Sequence, residues 1–470
     1  MSDLESRMKK PGRHINKLVI VGFLSLILIT LLGVVFIPWD VAKPEAPDLE
    51  PDPIPPAIPA AENAFTYFEA AGKLQVKHFS ARYSDGTPRD LGSLFYKVGL
   101  DGQPGWNPEF ADEVLKTNAA TFAELEKGLA CQQYQVPPCD AKSALSWLQA
   151  HKALVQLMNV KSKREQLTGD YAGSAKTGLQ GLQLGKLVTT RCNLLISWLV
   201  GISCEQMALA RLEELVADAK TPEPVLREIL AALDKQSSLK TNAAFKQMVK
   251  GEHLWLKKQF DDTKPDKWWE LDDPKARWFS WIPYTYKPNM TLSLVTDYDR
   301  VLIANADRPL SKTCFDYPGK PTAPNTIWEK VCFYAKPNFL GNQLFLEPAF
   351  NKALSKKCQM QGYVAGLRLK IALRLYELKH GELPDTLNAL VPEYLPEILK
   401  DPYDDQPFRY SKTEKKVWAV GDDLIDDGGK MKEKNAIMLY RGKGTDAVMP
   451  LEPRDPNPPP AAIPPPATTR

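Results

Sequence analysis

Four aspartates, Asp422, Asp423, Asp426 and Asp427, fall between Gly421 and Gly429. Carboxylates that close repel one another, so the turn should be loose without a cation. A solvated acidic turn is the plainer reading. A second cluster is aromatic: Trp268, Trp269, Trp278 and Trp281 crowd the Pro- and Asp-rich stretch 265–288. Such rings stack on sugars or clamp a peptide, against the alternative that they seal a loop onto helices beneath it. Glu205, Glu213 and Glu252 are carboxylates that adjacent helices would have to bring together for hydrolysis, although charged helix faces are usually just solvated. The five histidines are scattered, with no metal-ligand partner at short spacing. His-Glu-x-x-His, Cys-x-x-Cys and Gly-x-Ser-x-Gly are all missing from the chain. Gly181-Leu-Gln-Leu-Gly185-Lys186 imitates a phosphate loop, but Leu187 stands where a hydroxyl should bind magnesium, so it reads as helix packing.

Seven cysteines permit disulfides without making a disulfide scaffold. Cys131 and Cys139 bracket one Pro-containing loop, Cys314 and Cys332 another, and these two pairs are the disulfide candidates. Cys192 and Cys204, if on one helix, stand about 18 Å apart, beyond bridging distance. The net charge of +3 includes a basic N-terminal tail, and no concentrated basic footprint marks a nucleic-acid partner.

The elements that must position these groups begin with Leu18–Ile37, twenty residues without a charge. At about 1.5 Å per residue this matches a hydrocarbon core of roughly 30 Å. Arg7, Lys9, Lys10, Arg13 and Lys17 precede it, and acids follow. The positive-inside bias therefore predicts an inner-membrane, single-pass protein with residues 1–17 cytoplasmic and the rest periplasmic. The lipid bilayer is thus the first expected partner, engaged through 18–37. Residues 38–60 are Pro-rich and read as a semi-rigid spacer; 441–470 has the same texture and reads as a disordered tail. Between them the apolar period is mainly helical. In 61–355, Gly169-Asp170-Tyr171 followed by small residues at Ser174, Gly178 and Gly181 suggests a tetratricopeptide-like hairpin, although no 34-residue period recurs.

Residues 356–440 form the last module. Gly362–Lys379 carries an apolar stripe (Leu367, Ile371, Leu375), His380-Gly381 stops it, and two short strands near 408–410 and 417–420 flank a turn. In order, Leu375-Tyr376…Gly381…Pro384, Asp401-Pro402, Pro407-Phe408-Arg409-Tyr410 and Val420-Gly421-Asp422-Asp423…Gly428-Gly429 resemble the C-terminal part of the type II secretion major pseudopilin. The whole layout is similar to bacterial single-pass membrane proteins with a helical ectodomain. The pseudopilin resemblance implies a calcium site, with Asp423 on the family's loop aspartate and Asp422, Asp426 and Asp427 adding carboxylates. Leu424 replaces the family's glycine there, and Ile27 stands where its membrane-entrance Glu should be.

The expected fold is mainly α: an N-terminal transmembrane helix, a helical-hairpin ectodomain, and a C-terminal long helix with a small β-hairpin. The expected function is a membrane-anchored periplasmic interaction or scaffold protein with a protein partner and no catalysis. The alternatives are an envelope-polymer hydrolase or glycan binder using 265–288, and a component associated with type II secretion.

Overall fold

The computed structural model describes Ser25 and residues 40–452, except 54–55, 77–78, 81, 83–88, 92–93, 95–105, 137–140, 192–193, 236–237, 263–283, 285, 319, 321, 344–348 and 431–445. Apart from Ser25, the expected span 18–37 lies outside the described residues. The chain is mainly helical and ends in a small antiparallel sheet. It divides into two compact units: one comprises 1–50, 253–301 and 315–349, the other 51–252, 302–314 and 350–470. The expected boundary at 355/356 is not where the units divide, because the C-terminal module packs with the 51–252 helices.

The larger unit opens with α1 (Ala64–Leu74), α2 (Pro108–Thr117) and α3 (Ala119–Ala130). Asn63 caps α1 by accepting from the Phe65 N–H at 3.1 Å, and Asn107 caps α2 by accepting from the Phe110 N–H at 2.8 Å, with Pro108 as its first residue. Next come α4 (Ala141–Leu167), α5 (Tyr171–Arg191) and α6 (Leu195–Ala217). The α4–α5 turn is set by Gly169, whose φ of +89° is left-handed, and by Asp170, which accepts from the Gly173 N–H at 2.8 Å. The glycines read as packing residues do pack. A Cβ on Gly185 would stand 2.7 Å from the Glu205 backbone N, and one on Gly201 would stand 2.6 Å from the Thr189 N. Gly178 meets Leu212 and Gly181 meets Ala208, so α5 and α6 run antiparallel with their backbones in close approach. Cys204 lies on α6, and the chain between Arg191 and Leu195 breaks the single helix considered above.

Then follow α7 (Glu223–Asp234), α8 (Ser238–Asp262) and α9 (Pro288–Asn305). The two short helices α10 (Ile327–Tyr334) and α11 (Phe339–Gln343) belong to the smaller unit, and the long α12 (Ala349–His380) is the last helix. It ends as expected: Gly381 has φ +80° and donates its N–H to the Glu377 carbonyl at 2.8 Å. Its stripe of Leu367, Ile371 and Leu375 is buried.

Two expectations are corrected here. The sheet has three strands: β1 (Arg409–Ser411) pairs with β2 (Lys416–Ala419), and β2 pairs with β3 (Ala447–Pro450) in the register Trp418 to Val448. The third strand comes from the stretch read as disordered tail. Ala447, Val448 and Met449 are buried there, and the Met449 side chain packs against Gly366 of α12. The Pro-rich spacer is not free either. Residues Pro47–Leu49 form a 3-10 turn with Leu49 buried, and Asp48 makes a two-pronged 2.9 Å pair with Arg300. Among the described residues, which leave out the expected span 18–37 apart from Ser25, one helix is long and apolar enough to cross a membrane, and it is α6. Most of α6 is buried against protein, including Glu205, Arg211 and Glu213, so it is the core of its unit.

Candidate functional site

The larger unit contains a cleft of about 380 Å³. One wall is the first turn of α8, with Thr241 and Asn242; the facing wall is α12, with Lys357, Gln361 and Arg368. Asp307-Arg308-Pro309 and the loop Glu397–Asp405 close its ends. Those two loops are tied by main-chain bonds, Leu310 N–H to the Pro402 carbonyl at 3.1 Å and Ser311 N–H to the Tyr403 carbonyl at 2.7 Å.

The floor is polar and committed. Lys357 is buried and donates to the Asn242 amide oxygen at 3.2 Å and to the Ala306 carbonyl. Burial pulls its ammonium below the ordinary lysine range. Gln361 donates to the same Asn242 oxygen at 3.1 Å. Glu205 is held by the Thr189 hydroxyl at 2.5 Å, and burial pushes its carboxyl up to about 7. At the rim, Arg368 pairs with Asp234 at 2.6 Å, Asp405 with Lys312 at 2.8 Å, and Asp307 with Lys246. Among the described residues, four lining charges have no ion-pair partner: Glu205 and Lys357, which are buried on those neutral hydrogen-bond partners, and Arg308 and Glu397, which are exposed. Small-molecule pockets of this size are lined mostly by apolar and aromatic groups. This one sets charges, two amides and the Thr241 hydroxyl beside Met360, Val364 and Leu399, and among the described residues no lining hydroxyl is hydrogen-bonded to a base.

Behind the cleft, Asp401 knots the C-terminal module. Its carboxylate accepts from the N–H groups of Tyr403 and Val420, both at 2.8 Å, and from Arg409 at 2.7 Å. Burial pushes this carboxyl up, opposed by those N–H groups and by Arg409. The motif Asp401-Pro402 signalled a turn, but nothing in it signalled a hub joining β1, β2 and the loop.

The acidic loop does not form the expected ligand set. No group of three or more His, Cys, Asp or Glu side chains among the described residues is placed to hold a metal ion. Asp426 instead accepts from the Trp418 indole at 3.0 Å and faces Arg409 at 3.4 Å, and the indole bond is the main pull lowering its carboxyl. Asp423 turns back on its own loop, accepting from the Ile425 N–H at 3.2 Å. Asp422 is exposed and Asp427 half-buried. Among the described residues, the Trp418 indole, Arg409 and main-chain N–H groups answer Asp423 and Asp426. The hydrolase carboxylates also fail to converge. Glu205 takes Thr189, Glu213 takes the Tyr363 hydroxyl at 2.9 Å and Lys370 at 3.5 Å, and Glu252 caps α6 by accepting from the Leu195 N–H at 2.9 Å.

Trp268, Trp269, Trp278 and Trp281 lie outside the described residues, as do Cys139 and Cys192. Cys131 is a free thiol, and Cys314 and Cys332 are free thiols too, so the bridge expected between the last two is not formed here.

In the smaller unit, sequence reasoning missed a buried pair. His253, one of the scattered histidines, and Asp299 meet at 2.9 Å between α8 and α9, both buried. It also missed α10, whose Ile327, Trp328, Val331 and Tyr334 point into solvent. Matched against protein-family models, curated proteins and solved structures, the chain finds no counterpart.

Proposed function

We propose that the chain is a membrane-anchored, extracytoplasmic interaction protein whose larger unit takes an extended polar segment of a protein partner in the 380 Å³ cleft. The observation that carries this reading is the state of the cleft's charges. Asp307, Arg368, Lys400, Asp401 and Asp405 are ion-paired and Glu205 and Lys357 are buried on neutral hydrogen-bond partners, which leaves Arg308 and Glu397 as exposed opposite charges for a partner to answer. The groups that burial shifts here, Glu205, Lys357 and Asp401, are each held by fixed partners, whereas a site built for turnover would aim a nucleophile at a base. Main-chain amides of an extended segment suit walls of Asn242, Gln361 and Thr241. The anchor rests on the uncharged stretch 18–37 and the bases before it.

The test is a charge reversal in the full-length protein purified from membranes. Arg308→Glu with Glu397→Arg should strip the co-purifying partner while leaving melting unchanged. Retention of the same partner by this variant would remove the cleft from the argument.

A further inference from the structure

Helix α10 is built inside out. Its start is well made, with a full capping box: the Glu329 N–H donates to the Thr326 hydroxyl at 3.1 Å, and the Glu329 carboxylate accepts from the Thr326 N–H at 3.1 Å. At the helical period, Tyr334, Ile327, Val331 and Trp328 then fall on one face. That face is the outer one. Ile327 is 84% exposed, Trp328 73%, and Val331 and Tyr334 more than half, while Phe333 on the opposite side is buried. Four large apolar side chains together on one exposed face need a partner to cover them.

The rest of the unit says where this face lies. The first helical N–H groups of α9 have no intrahelical acceptor, and Pro288 supplies none. Asp40 fills the gap, accepting from the Asn289 N–H at 2.8 Å and the Met290 N–H at 3.2 Å, while Asn289 donates back to the Val41 carbonyl at 2.8 Å. The same helix start is held from the α10 side. The Asn338 amide oxygen accepts from the Lys287 N–H at 2.8 Å and the Thr291 hydroxyl at 3.0 Å, and the Tyr284 hydroxyl donates to the Ala335 carbonyl at 2.8 Å. Residue 40 and the end of α10 are thus fastened to one helix start. Asp40 follows Ile37, the last residue of the uncharged stretch, by three positions, a reach of about 10 Å at most. Helix α10 itself is only about 12 Å long.

We infer that the exposed face of α10 docks on the bilayer surface beside the membrane span, as a second, interfacial contact of the smaller unit. Trp and Tyr are the residues suited to that depth, with an apolar body and a polar tip. Lys330 and Lys336 are exposed next to the face and can reach the headgroups. Lipid, and not a protein groove, is the occupant because the span delivers it to this spot. The inference rests on the anchored reading, and the experiment separates the two.

The full-length chain is reconstituted in phosphatidylethanolamine–phosphatidylglycerol vesicles with a benzophenone amino acid in place of Trp328. Irradiation should give lipid adducts on the peptide carrying residue 328, and Ile327→Ser with Val331→Ser should lower their yield. Alkaline carbonate extraction of the unsubstituted chain is run alongside. A chain that resists carbonate but labels only protein or water at 328 overturns the docking and leaves the anchor standing. A chain released by carbonate overturns the anchor, and the docking with it.

Discussion

Helices α6 and α10 reverse each other. Helix α6 has the length and apolar content of a membrane span, yet it lies inside protein with Glu205, Arg211 and Glu213 buried along it. Helix α10 has only eight residues, too few to span anything, yet it turns Trp328 and Ile327 to solvent. Composition separates neither from its opposite. What differs is the covering. The charges on α6 are answered by Thr189, Gln166, Tyr363 and Lys370 from neighbouring helices, whereas on the outer face of α10 only Tyr334 meets another ring, that of Phe339, among the described aromatic contacts, and Ile327, Trp328 and Val331 stay exposed. Affinity for a bilayer is a property of the face left uncovered, not of a helix's average.

The comparison breaks most easily at Glu213. Glu213→Leu would make α6 still more apolar but take its carboxylate from Lys370, which is 3% exposed, and from the Tyr363 hydroxyl. Removing one partner of a buried pair costs about 3–5 kcal/mol, so the urea midpoint should fall steeply. An unchanged midpoint would mean that the other groups around Lys370 suffice for its charge. The next effect is steric. Gly201→Val would drive a side chain into the Thr189 backbone, 2.6 Å from a Cβ, and overpacking of this kind costs about 1–3 kcal/mol by the same measurement.

Acid–base titration sharpens the contrast further. Burial raises Glu205 from 4.5 to about 7, so between those values the folded chain holds a proton that the unfolded chain has lost. Its contribution to stability therefore falls as pH rises through 7. His151 has the opposite sign. Packed among Phe65, Phe68, Tyr134 and Trp147, it is lowered by burial from 6.5 to about 4, and stability is lost as pH falls through that window. Denaturant midpoints across pH 4–8 should show Glu205→Gln losing the first slope and His151→Phe the second; a Glu205→Gln curve parallel to the parent's would show that Glu205 is ionised in the fold. The smallest effect belongs to α10: Trp328→Ser removes an exposed ring and should move the melting midpoint of detergent-solubilised protein by no more than about 0.5 kcal/mol equivalent. A large loss there would mean that the ring is covered by the chain itself.

Much of the helical frame was legible beforehand. Gly169-Asp170, Gly381 and the small residues of α5 are local signals, and each does in the structure what its chemistry suggested. The misses share a cause: the deciding partner is distant in sequence. Nothing near Asp40 announces the start of α9, nothing near Ala447 announces β2, and the spacing of Ile327, Val331 and Tyr334 looks the same whether a core or water lies outside. Among the site residues, the acidic loop was visible as charge, but its resolution by Trp418 and Arg409 needed the strands to be paired. Glu205, Glu213 and Glu252 were visible as carboxylates, but not their separate engagements.

The pairing of β2 with β3 also sets an order of events. During N-to-C synthesis, Lys416–Ala419 gains its β1 neighbour at once, but its other edge waits for Ala447–Pro450, nearly thirty residues later. Until then a row of unpaired N–H and C=O groups, with Trp418 among them, is open to any passing strand. A ribosome stalled in that interval, or a protease cutting before Ala447, would leave a permanently sticky edge on an otherwise finished unit. Among the described residues, the last strand to join the sheet thus acts as its seal against self-association.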